Sequence, residues 1–154
     1  MTTSRYGQTQ KIRLLPEQVL FEQGDDGDKA YLINSGILDV IVDAKKVGYM
    51  TEGEFFGELA LLLNQKRSAT IVAREASELI EIDKKKFSEL MSSASPEVEK
   101  IIIIMSEQLS KRSNYEMIIS KPDLEKKIIN ENPTICAIIR QIFFRLEKST
   151  SHIE

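Results

Sequence analysis

Residues 53–73 read Gly-Glu-Phe-Phe-Gly-Glu-Leu-Ala-Leu-Leu-Leu-Asn-Gln-Lys-Arg-Ser-Ala-Thr-Ile-Val-Ala. Within this loop–helix–strand unit lie the parts of an anion site and a sugar site. Gly57 lets the backbone come close to a ligand. Residues 58–63 suit a short helix whose first N–H groups are unpaired and point at whatever precedes them. Arg67 then offers a planar fork of donors that matches a phosphate. Glu58 has the wrong charge for phosphate but is a good acceptor for a ribose hydroxyl. Together these residues describe a pocket for a sugar phosphate.

Working outward, glycine usage divides the chain. Gly24, Gly27, Gly36, Gly48, Gly53 and Gly57 lie close together, and no glycine follows Gly57. Glycines punctuate turns, so the first half reads as short strands: 11–15, 19–22, 30–33, 37–42, 47–50, 69–73 and 78–82. About eight strands at such spacing predict a sandwich or jelly roll. From Lys84 onward the residues are Glu, Lys, Leu, Met and Ile, which is helix material. The expected organisation is a loose tail over 1–10, a β-roll with a short helix over 11–95, and a helical region over 96–154.

Asp83 is a plausible N-cap for a helix through Met91, with Phe87, Leu90 and Met91 inward. Ser95-Pro96-Glu97 starts a long helix, expected over 96–119, whose first half is apolar nearly all round. Pro122 resets the chain before a helix over 123–130. Asn132-Pro133 opens another over 133–148, where Ile135, Ile138, Ile139, Ile142, Phe143 and Leu146 form an amphipathic stripe. That stripe has two readings, packing within the chain or a dimer or partner surface. Gly24-Asp25-Asp26-Gly27-Asp28 reads as a solvated turn; its carboxylates do not match the spacing of a calcium loop.

Composition narrows the function. The chain has 154 residues and a net charge of −3, with a single cysteine, Cys136. One cysteine permits no internal disulfide and fits a reducing cytoplasm. The acidic balance does not suggest a protein that coats nucleic acid, and no apolar run is long enough for a membrane span. No metal cluster or nucleophile–base pair is suggested by spacing, so neither an enzyme nor a metal or other cofactor is expected.

Phe56-Gly57-Glu58-Leu59-Ala60 followed by Arg67-Ser68-Ala69-Thr70 resembles the phosphate-binding cassette of the cyclic nucleotide-binding domain family, which includes catabolite-activator-type regulators and regulatory subunits of cyclic-AMP-dependent kinase. The strands at residues 19–25, 30–36 and 78–82 are similar as well, so the likeness spans roughly residues 15–112. The resemblance implies a jelly roll and a ligand, cyclic AMP more than cyclic GMP. It places Arg67 on the cyclic phosphate and Glu58 on the ribose 2′-hydroxyl. Backbone N–H groups of Leu59, Ala60, Ser68 and Ala69 complete the cradle with Gly57. Phe21, Val40 and Val47 would wall the ribose and base, and Ser113 and Asn114 on the long helix would meet the base. Residues 121–154 carry six Lys or Arg against five Asp or Glu, which argues against a DNA-binding module. The expectation is a stand-alone sensor. Its alternatives are a reduced transcription regulator or a ligand-free scaffold. Its partners would be a protein effector or a second copy, held through the long helix or the C-terminal one.

Overall fold

The computed structural model describes residues 9–111 and 117–151. The chain packs as two compact units, residues 1–87 and 88–154.

The first unit holds eight strands: β1 (Thr9–Leu14), β2 (Val19–Phe21), β3 (Lys29–Ser35), β4 (Ile37–Val42), β5 (Lys45–Thr51), β6 (Phe55–Phe56), β7 (Thr70–Ala73) and β8 (Ser77–Asp83), with helix α1 (Glu58–Leu62) between β6 and β7. They form two four-stranded antiparallel sheets in the orders β1-β8-β3-β6 and β2-β7-β4-β5. Pairing first strand with last and second with next-to-last is the jelly-roll arrangement. Directly opposed residues of antiparallel strands share a face. In one sheet Ile12, Leu79 and Ile33 thus form an inward row. In the other, Phe21, Ile71, Val40 and Gly48 form a second. Leu38, Leu79 and Ile33, at most 1% exposed, lie at the centre of the resulting core.

Several expected boundaries move. Thr9 and Gln10, expected in the tail, are strand residues, because the β8 backbone at Ile82 and Glu81 supplies a ladder that is indifferent to their polarity. Strand β6 was not expected; only two residues long, it pairs with Tyr31 and Leu32. The β4–β5 turn narrows to Asp43 and Ala44, both at positive φ, as the primed two-residue hairpin requires.

Helix α2 (Lys84–Ser93) starts as expected at Asp83, whose carboxylate accepts from the Lys86 N–H at 2.7 Å. Phe87 and Met91 are buried. Asp83→Ala should cost about 1 kcal/mol. A urea melt would show it as a lower midpoint at unchanged slope.

The second unit contains α3 (Pro96–Lys111), α4 (Lys121–Lys127) and α5 (Pro133–Ser151). Ser95 and Asn132 cap α3 and α5 through Val98 N–H and Thr134 N–H. Helix α3 does not reach residue 119: Met117 to Ile119 are non-helical, because they lead into Ser120, the extended N-cap of α4 (φ −77°, ψ 158°). Helix α4 therefore begins at Lys121 rather than 123. It stops at Lys127, where the Ile128 N–H returns to the Leu124 carbonyl. Helix α5 runs three residues past the expected 148. Its stripe is buried within the chain, with Ile135, Ile138, Ile139, Ile142 and Leu146 at 0% exposure, and α3 packs on α5. Of the two readings of the stripe, the structure supports intramolecular packing, so these residues do not form a free dimer surface. Across this unit Arg140 donates to both oxygens of Glu125 at 2.9 and 2.8 Å, and Lys127 pairs with Glu97. Among the described residues no helix is long and apolar enough to cross a membrane.

Candidate functional site

The cassette folds as a tight turn, a one-turn helix and a return strand. Gly57 sits at φ 86°, ψ −2° between β6 and α1. That left-handed conformation costs a side-chain-bearing residue about 1 kcal/mol or more. A Cβ there would also lie 2.9 Å from Arg67 Nη1 and 3.2 Å from the Lys29 carbonyl oxygen. Helix α1 closes with Leu63 N–H on the Leu59 carbonyl, and Asn64 at φ 51° turns the chain back toward Arg67. Glu58 opens α1 and is completely buried, at the helix end where a negative charge is favoured. Ala60 and Ala69 are buried, Leu59 is half-buried and Ser68 is exposed.

Arg67 is only 5% exposed. Its backbone is held by the β2–β3 loop: its N–H donates to the Asp25 carbonyl and its carbonyl accepts from Gly24 N–H, both at 2.8 Å. Its Nη1 donates to the Gly57 carbonyl at 3.0 Å and its Nη2 to the Lys29 carbonyl at 2.8 Å. The guanidinium carbon stands 4.1 Å from the Phe21 ring centre and 5.8 Å from that of Tyr31. Beneath it Tyr31 stacks on Phe56 at 5.3 Å and Phe21 closes the trio at 6.0 and 6.3 Å. Burial lowers the Arg67 pKa, against the pull of the Asp28 and Asp25 carboxylates. The Tyr31 phenol is pushed up to about 12, chiefly by burial and then by the Glu81 carboxylate, so it stays neutral and is not an anionic partner for the guanidinium. Nε of Arg67 is buried without a hydrogen-bond partner. A buried donor left unmade is costly, and more so on a cation. The geometry suits an acceptor that arrives with its own negative charge.

The structure therefore brings Gly57, Glu58, Leu59, Ala60, Arg67, Ser68 and Ala69 into one short cassette. Phe21 lies against Arg67 rather than at a distance from it. Val40 is half-buried on the inner face of the second sheet. Val47 is 62% exposed, because the β4–β5 register slips between Val40↔Gly48 and Ile41↔Lys46 and leaves it as the extra residue of a bulge. Gly48 instead continues the inner row, and a Cβ there would meet nothing within 4 Å. Ser113 and Asn114 lie outside the described residues. Sequence reasoning missed Tyr31 and Phe56 as the floor and the Lys29 carbonyl as a brace. Backbone oxygens have no signature in side-chain patterns, and the aromatic pair is brought together only by the β3–β6 pairing.

Comparison with known proteins agrees with this geometry. Residues 11–94 match the cyclic nucleotide-binding domain family. A type II regulatory subunit of cAMP-dependent protein kinase from Drosophila melanogaster is 30% identical over 118 residues, covering 77% of this chain and 28% of that protein. A regulatory subunit from Candida albicans is 47% identical over 57 residues, covering 37% of this chain and 12% of that protein. This chain thus spans less than a third of the length of either relative. Among solved structures, the EAL enzyme Bd1971 in its cAMP-bound form is similar at TM-score 0.61 and 32% identity, covering 67% of this chain and 29% of that one. A chain described as Sp-2Cl-cAMPS bound to PKAR CBD2 shares the fold at TM-score 0.58 and 24% identity, covering 82% of this chain and 76% of that one. With the family model spanning most of the β-roll and the cassette inside it, the chain belongs to the cyclic nucleotide-binding domain family.

Proposed function

We propose that this chain is a cyclic nucleotide receptor without catalytic activity of its own, binding cyclic AMP in preference to cyclic GMP. The single observation that carries this reading is Arg67, a cation withdrawn from water whose Nε lacks a partner. In this reading the cyclic phosphate accepts from Arg67 and from N–H groups at Leu59, Ala60, Ser68 and Ala69. Glu58 accepts from the ribose 2′-hydroxyl. Phe21, Val40 and the open space at Gly48 border the sugar and base, and Val47 flanks them from the bulge.

The output follows from linkage. A ligand that orders the cassette shifts any equilibrium in which the cassette takes part. We assign that output to movement of the C-terminal helices toward a protein effector or a second copy. With the α5 stripe taken up inside the chain, such a partner would meet surfaces other than that stripe.

Titration calorimetry with each nucleotide tests the reading. Expected is saturable binding of cyclic AMP, tighter than cyclic GMP, together with a raised melting temperature, since a ligand that binds only the folded state stabilises it. The EAL enzyme neighbour has also been solved in a cGMP-bound form, so both titrations are needed. Folded protein that gives no heat with either nucleotide would sink the proposal.

A further inference from the structure

Gly27 lies in the β2–β3 loop, in the turn that sequence alone presents as solvated. A Cβ built on it would collide with Arg67, whose Nε and Cζ are its nearest atoms, followed by the Ala60 Cβ at 3.0 Å. Because Nε and Cζ are both nearer than either Nη, that Cβ would stand over the flat face of the guanidinium, not in line with its N–H bonds. The Phe21 ring centre stands 4.1 Å from Cζ. The guanidinium thus has a bare glycine Cα over one face and an aromatic ring within 4.1 Å of its carbon. Its two Nη groups are pinned in the plane by the Gly57 and Lys29 carbonyls. Of its donor nitrogens, only Nε is left without an acceptor.

The loop is itself tied down over the four residues that precede Gly27. Gly24 and Asp25 exchange backbone hydrogen bonds with Arg67, and Asp26 pairs with Lys66. Gln23 grips the β4–β5 turn, donating from Nε2 to Asp43 Oδ1 at 3.0 Å and accepting from Asp43 N–H at 2.8 Å. The loop therefore cannot back away from an added side chain without breaking these contacts, and the guanidinium would have to yield instead.

We propose that Gly27 is a positioning residue for anion binding: its missing side chain lets the loop close on Arg67 and fix the plane in which Nε meets the ligand. This rests on the receptor reading above. The φ of Gly27 lies outside the left-handed region, so alanine fits the backbone there and Gly27→Ala tests side-chain volume alone.

Two measurements decide it. Fluorescence titration with cyclic AMP should show Gly27→Ala binding at least tenfold more weakly. In an Arg67→Lys background, whose slimmer side chain has no flat face to strike, the same change should cost less than twofold. Phenylglyoxal labelling of ligand-free protein, read by mass spectrometry, should find Arg67 protected relative to Arg13, whose side chain is 83% exposed. Gly27→Ala should remove that protection. Equal affinity of Gly27→Ala and the parent overturns the proposal, as does equal labelling of Arg67 in both. A parent that binds no cyclic nucleotide defeats the receptor reading alone, and the labelling still decides for or against Gly27. If Gly27→Ala fails to fold, the double variant with Arg67→Lys should recover the fold; its failure to do so would place the need for glycine in the backbone and overturn the proposal.

Discussion

Arg67→Leu is expected to lower cyclic nucleotide affinity by about 100- to 1,000-fold while leaving the empty protein nearly as stable as before. Each charge-assisted hydrogen bond is worth roughly 1.5–3 kcal/mol, and two to one phosphate, from Nε and from the second N–H of one Nη, give about 3–6 kcal/mol, which at 1.4 kcal/mol per factor of ten is two to four orders of magnitude. The lower part of that range is expected because the backbone cradle remains. The stability side runs the other way. Without ligand the guanidinium is a desolvated cation whose Nε has no acceptor, so removing it lifts a penalty. The Gly57 and Lys29 carbonyls lose their donors, which costs about 1 kcal/mol each. Leucine keeps an apolar contact with the Phe21 ring. These terms nearly cancel, so the melting temperature without ligand should move by only a few degrees. The shift that cyclic AMP confers on the parent should disappear. A large loss of stability without ligand, with affinity kept in whatever remains folded, would make Arg67 a structural residue and not a ligand residue.

That split between binding and stability reflects what the sequence could and could not disclose. Seven of the eight strands were legible because glycines and short polar turns punctuate them, while β6, two residues long, was not. Gly57, Glu58 and Arg67 were legible because their side-chain chemistry, or its absence, is the signal. Three things were hidden, each for a physical reason. The brace on Arg67 consists of main-chain carbonyls, which every residue has. Val47 was expected at the wall with Val40, but a one-residue bulge decides which of Val47 and Gly48 faces inward, and pattern alone does not locate a bulge. Residues 117–119 are non-helical because they lead into Ser120, which caps the following helix by accepting from the Asp123 N–H at 3.3 Å; the proline at 122 drew attention to a start two residues too late. Gly27 belongs with these. Its turn composition is common on solvated surfaces, and only the collision with Arg67 separates it from an ordinary turn glycine.

The stripe on α5 posed a sharper ambiguity, since an apolar face looks the same whether it meets another helix of its own chain or a second molecule. Ile139→Ala settles it by experiment. Ile139 is fully buried within the chain, on the helix that α3 packs against. Removing its outer carbons should cost about 2–5 kcal/mol, through lost transfer energy plus the cavity left among neighbours such as Ile135 and Ile142 that cannot collapse into it. Against a typical domain stability of about 5–15 kcal/mol this is a large fraction. Because the contact is intramolecular, the loss should be the same at low and high protein concentration, and urea unfolding curves at two concentrations tenfold apart should superimpose. Ile129, 78% exposed, is the matching control: Ile129→Ser should change stability by less than about 0.5 kcal/mol. If the stripe instead sealed a dimer, Ile139→Ala would leave a folded chain whose sedimentation coefficient drops to that of the monomer, and the parent's unfolding midpoint would climb with concentration. That pair of results would overturn the intramolecular assignment and return α5 to the surface as the dimer contact.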